Sequence, residues 1–388
     1  MHFNRHRITI PSDVVAQAVA LLKKLIATPS FSREEHATAN IIQEFLHAQR
    51  VSTERQGNNV WARNARYDAK LPTVLLNSHH DTVRPNQDWT RDPFLPTEVD
   101  DERGTRLYGL GSNDAGGALV SLVAAFLYFY DHALPFNLVL AATAEEEIIG
   151  RGGVESILPQ LGALSVAIVG EPTGGTITNP DGTIVPDGTI GLAIAEKGLL
   201  VLDCTAHGRS GHAARNTGIN AIKQAMEDIS WFHSYAFPKI SPLLGPITMN
   251  VTMIQAGTQH NMIPDRCNFV VDVRTTDAYT NEETLEIIKS HVRSEVKERS
   301  TRLRPSAIDP VHPLVRAAVR LGLRTFASPT MSDQTVIPVP SVKIGPGLSE
   351  RSHTADEFIY LHEIHQGIAT YIALLRSFAE SFMQNPHY

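Results

Sequence analysis

Apolar side chains at positions 14, 15, 18, 22, 25 and 26 recur at helical spacing and predict a helix over residues 12–27, with Ser12 as its N-cap. A second stripe, Ile41, Ile42, Phe45 and Leu46, predicts another helix. The stretch "SREE" ahead of it gives Ser32 and Glu35 the spacing of a capping box. Beyond this point short apolar runs alternate with helical stretches: "TVLLN" (73–77), a helix at 116–130, "NLVLAATA" (137–144), a helix near 152–158 and "SVAIVG" (165–170). Continuously apolar strands between helices predict an α/β fold with a mainly parallel sheet covered on both faces.

From residue 199 the pattern changes. Alternation over 199–206, a helix at 220–234, strands in "ITMNVTMIQAG" and "NFVVDVRTT", a charged amphipathic helix at 281–298 and a short strand near 301–307 spell β-α-β-β-α-β. This predicts a second domain, 198–303, inserted into a first made of 1–197 and 304–388. A helix at 312–324, the strand "SVKIG" (341–345) and a helix at 362–378 return the chain to that first domain. In "PDGTIVPDGTI" residues 180–184 recur at 186–190, and Pro-Asp-Gly favours a tight turn, so a surface hairpin or extended loop is expected.

Composition narrows the function. The 34 basic and 41 acidic residues leave a formal charge of -7 with no basic cluster, which argues against a nucleic-acid partner. Cys204 and Cys267 cannot build a disulfide framework and are expected to be buried apolar residues. The N-terminal stretch lacks the apolar region of a secretory signal, and the apolar run at 116–130 is shorter than the roughly 20 residues that span a bilayer. A cytoplasmic protein with no membrane partner is the expectation.

Three predicted strands end in chemistry: "LLNSHHD" in His79, His80 and Asp81, "AATAEEE" in Glu145, Glu146 and Glu147, and "AIVGEPT" in Glu171, while the loop "YGLGSNDAGG" adds Asp114 before a helix. Ligands of open α/β sheets bind outside the carboxyl ends of the strands. The acids have ordinary readings too, as first-turn helix residues or, for Asp114, as an N-cap. An imidazole with several carboxylates and no thiolate suits Zn²⁺, Mn²⁺ or Co²⁺, and the surplus of acids suggests two metals with one carboxylate left to handle protons.

The motifs "SHHDTV", "LYGLGSNDAGG", "TAEEE", "VGEPT", "GRSGHAARNTGINAI", "QHNMIPD", "VDVR", "MSD" and "SERSHTADEFI" resemble, in order and spacing, the dinuclear zinc amidohydrolase and peptidase family of acetylornithine deacetylase and succinyl-diaminopimelate desuccinylase. The resemblance runs from about residue 12 to 378. It implies two Zn²⁺, with Co²⁺ or Mn²⁺ as substitutes: His79 and Glu171 on one, Glu147 and His353 on the other, and Asp114 bridging both. It further implies that Asp81 orients His79, that Glu146 is the general base, and that the inserted domain is a lid through which a homodimer forms. In that lid His212 would polarise the scissile carbonyl, and Asn261 and Arg274 would hold the substrate's α-carboxylate. The implied activity is hydrolysis of an N-acyl-L-amino acid, foremost N-acetyl-L-ornithine. N-succinyl-ornithine, N-succinyl-diaminopimelate, acetylcitrulline and small peptides are the alternatives, and a non-catalytic binding protein on the same fold is the reading from another class. Two features depart from the family: Gly116 stands where many relatives carry Lys, and the repeated "PDGTI" looks inserted. His80 has no family role and is expected to be structural.

Overall fold

The computed structural model describes residues 10–178, 184–215 and 217–384. They form two compact units, one running to Ile194 and including Ile308–Phe326 and the chain from Ser332 onward, the other comprising Ala195–Ala307 and Ala327–Met331.

In the first unit, four strands lie parallel in the order Asn137–Thr143, Thr73–His79, Leu164–Gly170 and Ser341–Ile344. The edges are antiparallel, with Asn59–Arg63 beside Asn137–Thr143 and Ile184–Glu196 meeting Ser341–Ile344 at Lys343. The sheet is therefore mixed around a parallel centre. Every residue of Thr73–His79 and of Asn137–Thr143 is buried, which explains why these runs lack alternation. Leu75, Val139 and Val169 pack on one face against Val154 and Ile157 of a short helix. On the other face lies the helix Gly117–Phe129, whose Leu122 approaches Gly170. The window Ser112–Phe129 has the length and hydropathy of a membrane span, but 83% of it is buried in the protein's own core.

The second unit carries a four-stranded antiparallel sheet in the order Thr248–Ala256, Arg266–Thr275, Gly198–His207, Glu295–Glu298. The helices Ala221–Ser234 and Asn281–His291 pack on one face, where Phe232 and Ile288 join Leu200, Leu202, Phe269 and Val271. Cys204 and Cys267 are free and buried in this core. The edge strand Thr248–Ala256 leaves Met253 and Ile254 exposed.

Several local expectations are corrected. Ser12 is the first residue of the helix Ser12–Ile26 and makes no capping bond. The Ser32–Glu35 pair does not form a capping box on His36–Ala48. Ser32 Oγ donates to Asp81 instead, and the Glu35 carboxylate accepts from the backbone of Arg33 and Glu145 and from the Asn58 amide. The helix expected over 281–298 ends at His291, and Glu295–Glu298 is the strand that completes the sheet; the earlier end leaves 301–307 outside it. The capping box that does form is Thr280 with Glu283. The repeat "PDGTIVPDGTI" falls on the hairpin of Gly174–Thr178 with Ile184–Glu196; its second copy lies on the latter strand, and residues 180–183 of its first copy are outside the described residues.

Gly116 is a close-approach position. A Cβ there would sit 2.3 Å from the carbonyl oxygen of Gly111 and 2.6 Å from Leu22 Cδ1. The Gly116 N–H bonds that same carbonyl, so the backbone cannot retreat without losing the bond. Gly116→Ala is therefore expected to destabilise the protein by about 1–3 kcal/mol, the usual range for overpacking, read as a lowered urea midpoint at unchanged slope.

Candidate metal centre

The parallel strands bring their carboxyl ends together, and the acids follow from where each strand stops. His79 is the last residue of its strand and is buried. Its Nε2 lies 3.2 Å from Asp114 Oδ1, 3.6 Å from Glu171 Oε1 and 3.8 Å from Glu146 Oε2. Its Nδ1 faces Asp81, 3.0 Å from the backbone oxygen and 3.4 Å from Oδ1. Asp81 has a second task. Its two carboxylate oxygens accept the backbone N–H groups of Glu146 and Glu147, at 3.0 and 3.2 Å, and the Ser32 hydroxyl at 2.7 Å.

Those bonds fold the triple glutamate. Glu145 and Ile149 both have positive φ, and between them Glu146–Ile148 makes one tight turn rather than a continuing strand or a long helix. Glu146 and Glu147 thus sit in a single 3-10 turn and not in the first turn of an α-helix. Glu145 turns away: Gly152 N–H donates to its carboxylate, and the glycines at 150 and 152 leave room for the side chain. Glu147 Oε2 meets His353 Nε2 at 2.8 Å. His353 Nε2 is also 3.7 Å from Asp114 Oδ2, so the two oxygens of Asp114 each face a different histidine. Asp114 lies in the turn Ser112–Gly116 and does not cap the following helix.

Single donor atoms of His79, Asp114 and Glu147 lie within 4.8 Å of one another, as do those of His79, Glu146 and Glu171. Glu146 thus stands among the donors as closely as Glu171 does. Electrostatics agrees with a site made for cations. Burial, reinforced by Glu171, Asp333 and Glu147, carries the Glu146 carboxyl well above its usual range against the pull of His79. Burial also raises Glu147, and it pushes Glu171 up to about 8 despite His79 and Lys343. Burial opposes a charged His79, but hydrogen bonds to Asp114 and Asp81 and the charges of Glu146 and Glu171 outweigh it and hold the imidazole well above its ordinary value. The hydrogen bond to Glu147 pushes His353 up to about 9. Protons here do the work a divalent cation would do better, and the O and N donors suit one, so these residues fit the metals that the resemblance implies.

Four supporting residues escaped the sequence reading. Ser32 and Glu35 were assigned to a cap. Asp333, inside the quoted "MSD", is buried and accepts from Asn77 Nδ2 at 2.7 Å and Thr143 Oγ1 at 2.9 Å, tying together the two strands that deliver His79 and the glutamates. Glu357, inside "SERSHTADEFI", accepts three backbone N–H groups from the Asp114 loop. His80 is buried away from the donors, with Nε2 2.9 Å from the Asn58 carbonyl and Nδ1 2.9 Å from Thr38 Oγ1. Burial lowers its pKa, so it stands as a neutral structural residue.

The three residues expected from the lid lie in the second unit. His212 and Asn261 belong to one small antiparallel turn, in which Gly211–His212 pairs with Met262–Ile263 and Ala213 N–H donates to the Asn261 carbonyl. His212 Nδ1 accepts from Ala214 N–H at 3.2 Å, which leaves the proton of the neutral ring on Nε2. Arg274 forks onto Asp272, at 2.8 and 3.0 Å.

Residues 194–300 match the model of the peptidase dimerisation domain. Along most of its length the chain is similar to acetylornithine deacetylase of Edwardsiella ictaluri, 27% identical over 377 residues, covering 88% of this chain and 92% of that protein. It is also similar to succinyl-diaminopimelate desuccinylase of Paracoccus denitrificans, 27% identical and covering 70% of each. The chain is thus similar to metal-dependent amidohydrolases and peptidases of the M20 family, and these relatives indicate a hydrolytic enzyme. Its fold is similar to that of solved structures: a tripeptidase from Staphylococcus aureus superposes with a TM-score of 0.73 at 17% identity, over 94% of this chain and 99% of the other. A dinuclear metal-binding M20 peptidase from Bacillus subtilis gives 0.67 at 19%, over 95% and 98%.

Metal uptake at this site must expel the protons held by Glu171 and His353. Glu171, pushed up to about 8, and His353, pushed up to about 9, keep protons at neutral pH in the metal-free protein, so apparent Zn²⁺ affinity is expected to rise from pH 6 to pH 8 while the protons released per ion fall. Calorimetry in buffers of different ionisation enthalpy measures both; a pH-independent affinity would contradict this account.

Proposed function

We propose that this chain hydrolyses the amide bond of an N-acyl-L-amino acid, with N-acetyl-L-ornithine as the leading substrate and two Zn²⁺ as cofactors, in a cytoplasmic homodimer. The observation that carries the reading is the Asp114 carboxylate facing one oxygen to each of two histidines, with the Glu146 carboxylate beside them, 3.8 Å from His79 Nε2. The similarity to acetylornithine deacetylase, spanning 92% of that protein, supports the substrate class.

In this reading His79 and Glu171 would hold one ion, Glu147 and His353 the other, and Asp114 would serve both. The ions, when bound, would polarise the amide carbonyl and make water a nucleophile at neutral pH. The Glu146 carboxylate takes the proton from the attacking water and gives it to the departing amine nitrogen. Its raised proton affinity suits a group that must both take and return a proton, and Asp81, by gripping the Glu146 N–H, fixes where that carboxylate hangs. Asp81 at the same time keeps His79 oriented so that Nε2 faces the donors. His212, with its proton on Nε2, donates to the carbonyl oxygen as charge builds there. Arg274 and Asn261 receive the substrate's α-carboxylate; for this Arg274 exchanges Asp272 for the substrate, a like-for-like carboxylate. The exposed Met253 and Ile254 on the edge strand of the dimerisation domain are the apolar surface that a second copy would cover.

A desuccinylase is the second reading, supported by the similarity to succinyl-diaminopimelate desuccinylase. The two are separated by amine release from matched N-acetyl and N-succinyl derivatives of ornithine, citrulline and diaminopimelate, with a chelator control. Chelator-sensitive preference for acetylornithine is expected; preference for a succinyl compound would replace the leading substrate, and no turnover of any would move the search to dipeptides. Glu146→Gln is expected to retain fold and metal content, measured by circular dichroism and elemental analysis, and to lose several orders of magnitude in kcat. Loss of one metal equivalent would instead make Glu146 a ligand.

A further inference from the structure

The geometry points to Glu357 as the positioning residue that keeps Asp114 between the two histidines, an inference that rests on the metal-binding reading above. Glu357 is 2% exposed and four residues beyond His353. Its Oε1 accepts the N–H of Asn113 at 2.7 Å and of Asp114 itself at 2.9 Å; its Oε2 accepts Gly111 N–H at 3.1 Å, and its backbone oxygen takes Gly109 N–H at 3.0 Å. Four attachments therefore join the segment that bears His353 to the turn that bears Asp114. The Phe358–Tyr360 strand then continues the same join by pairing with Gly104–Tyr108. Asn113 adds a two-way contact from the other side, exchanging side-chain hydrogen bonds with the backbone of Leu348.

The residue type matters. Only a carboxylate presents two acceptor oxygens that take all three N–H groups; the amide of Gln would turn an NH₂ group toward one of them. A second carboxyl behind Asp114 is costly to bury there, and a clamp needed only for loop shape could avoid that cost. The arrangement makes sense where a cation lies in front of Asp114.

The test is Zn²⁺ titration of metal-free wild-type protein, Glu357→Ala and Glu357→Gln, with thermal unfolding in chelator as the measure of fold. Asp356→Ala serves as the control: that neighbour holds Thr90 and Arg91 instead. The Ala variant is expected to bind at least one Zn²⁺ equivalent about 10–100-fold more weakly, the usual effect of losing a ligand's supporting partner, with the Gln variant between and the control unchanged. Folded Glu357 variants that bind both equivalents like wild type would overturn the assignment while leaving the metal reading intact. If the Ala variant does not fold, the Gln variant decides, and unchanged affinity there overturns it. Wild-type protein that takes up no Zn²⁺ would sink the metal reading and this assignment with it.

Discussion

Carboxylates crowded at the end of one parallel sheet repel one another, and the structure around them is arranged to bear that repulsion. The acids divide by what neutralises them. Asp81, Asp333, Glu35 and Glu357 are buried and satisfied by neutral donors: backbone N–H groups, hydroxyls and side-chain amides. They form a frame. Asp114, Glu146, Glu147 and Glu171 face inward, with positive charge coming from His79, His353 and, for Glu171, Lys343. An inner set of that kind is costly to bury without a cation; the frame's hydrogen bonds replace those to water and offset part of the cost of burial, which still raises the Asp333 and Glu357 carboxyls.

The frame explains how the fold holds the site. A parallel strand ends where its ladder ends, and each strand then needs something to aim its last residues. Asp81 does this for the glutamate turn, Asp333 for the Asn77 and Thr143 pair just before His79 and the glutamates, and Glu357 for the Asp114 turn. In each case one side chain from one loop grips the backbone or a polar side chain of another. The candidate donors thus sit at a strand end, in His79, and on loops that buried carboxylates tie to their neighbours.

Most of this was legible in the sequence where a signal is periodic or clustered. The mainly apolar runs at 73–77 and 137–144 read as buried strands, and the acids at their ends stood out because several came together. The frame was not legible, for a physical reason. A lone acid that will be satisfied by N–H groups distant in sequence looks the same as a surface acid: Asp333 reaches Asn77 across 256 positions and Glu357 reaches Gly111 across 246. Ser32 and Glu35 misled because a capping box and a loop clamp use the same residue types. The helix at 281–298 was overextended because Glu295–Glu298 is charged on its outer face and short, so that its strand character lies in the pairing with Leu202–Thr205.

The three consecutive glutamates illustrate how position rather than residue type assigns chemistry. All three carry the same group within one turn, but the backbone changes direction at each. Glu145, at positive φ, directs its carboxylate back over Gly150 and Gly152 and closes the turn. Glu147 is carried to the far side, where it reaches His353. Glu146 is left between them, within 3.8 Å of His79, with its own N–H held by Asp81. A strand would have sent 146 and 147 to opposite faces, and a helix would have fanned all three outward to solvent. Only a tight turn, with its backbone donors held by a buried carboxylate, puts two of the three into one site and uses the third to make the turn.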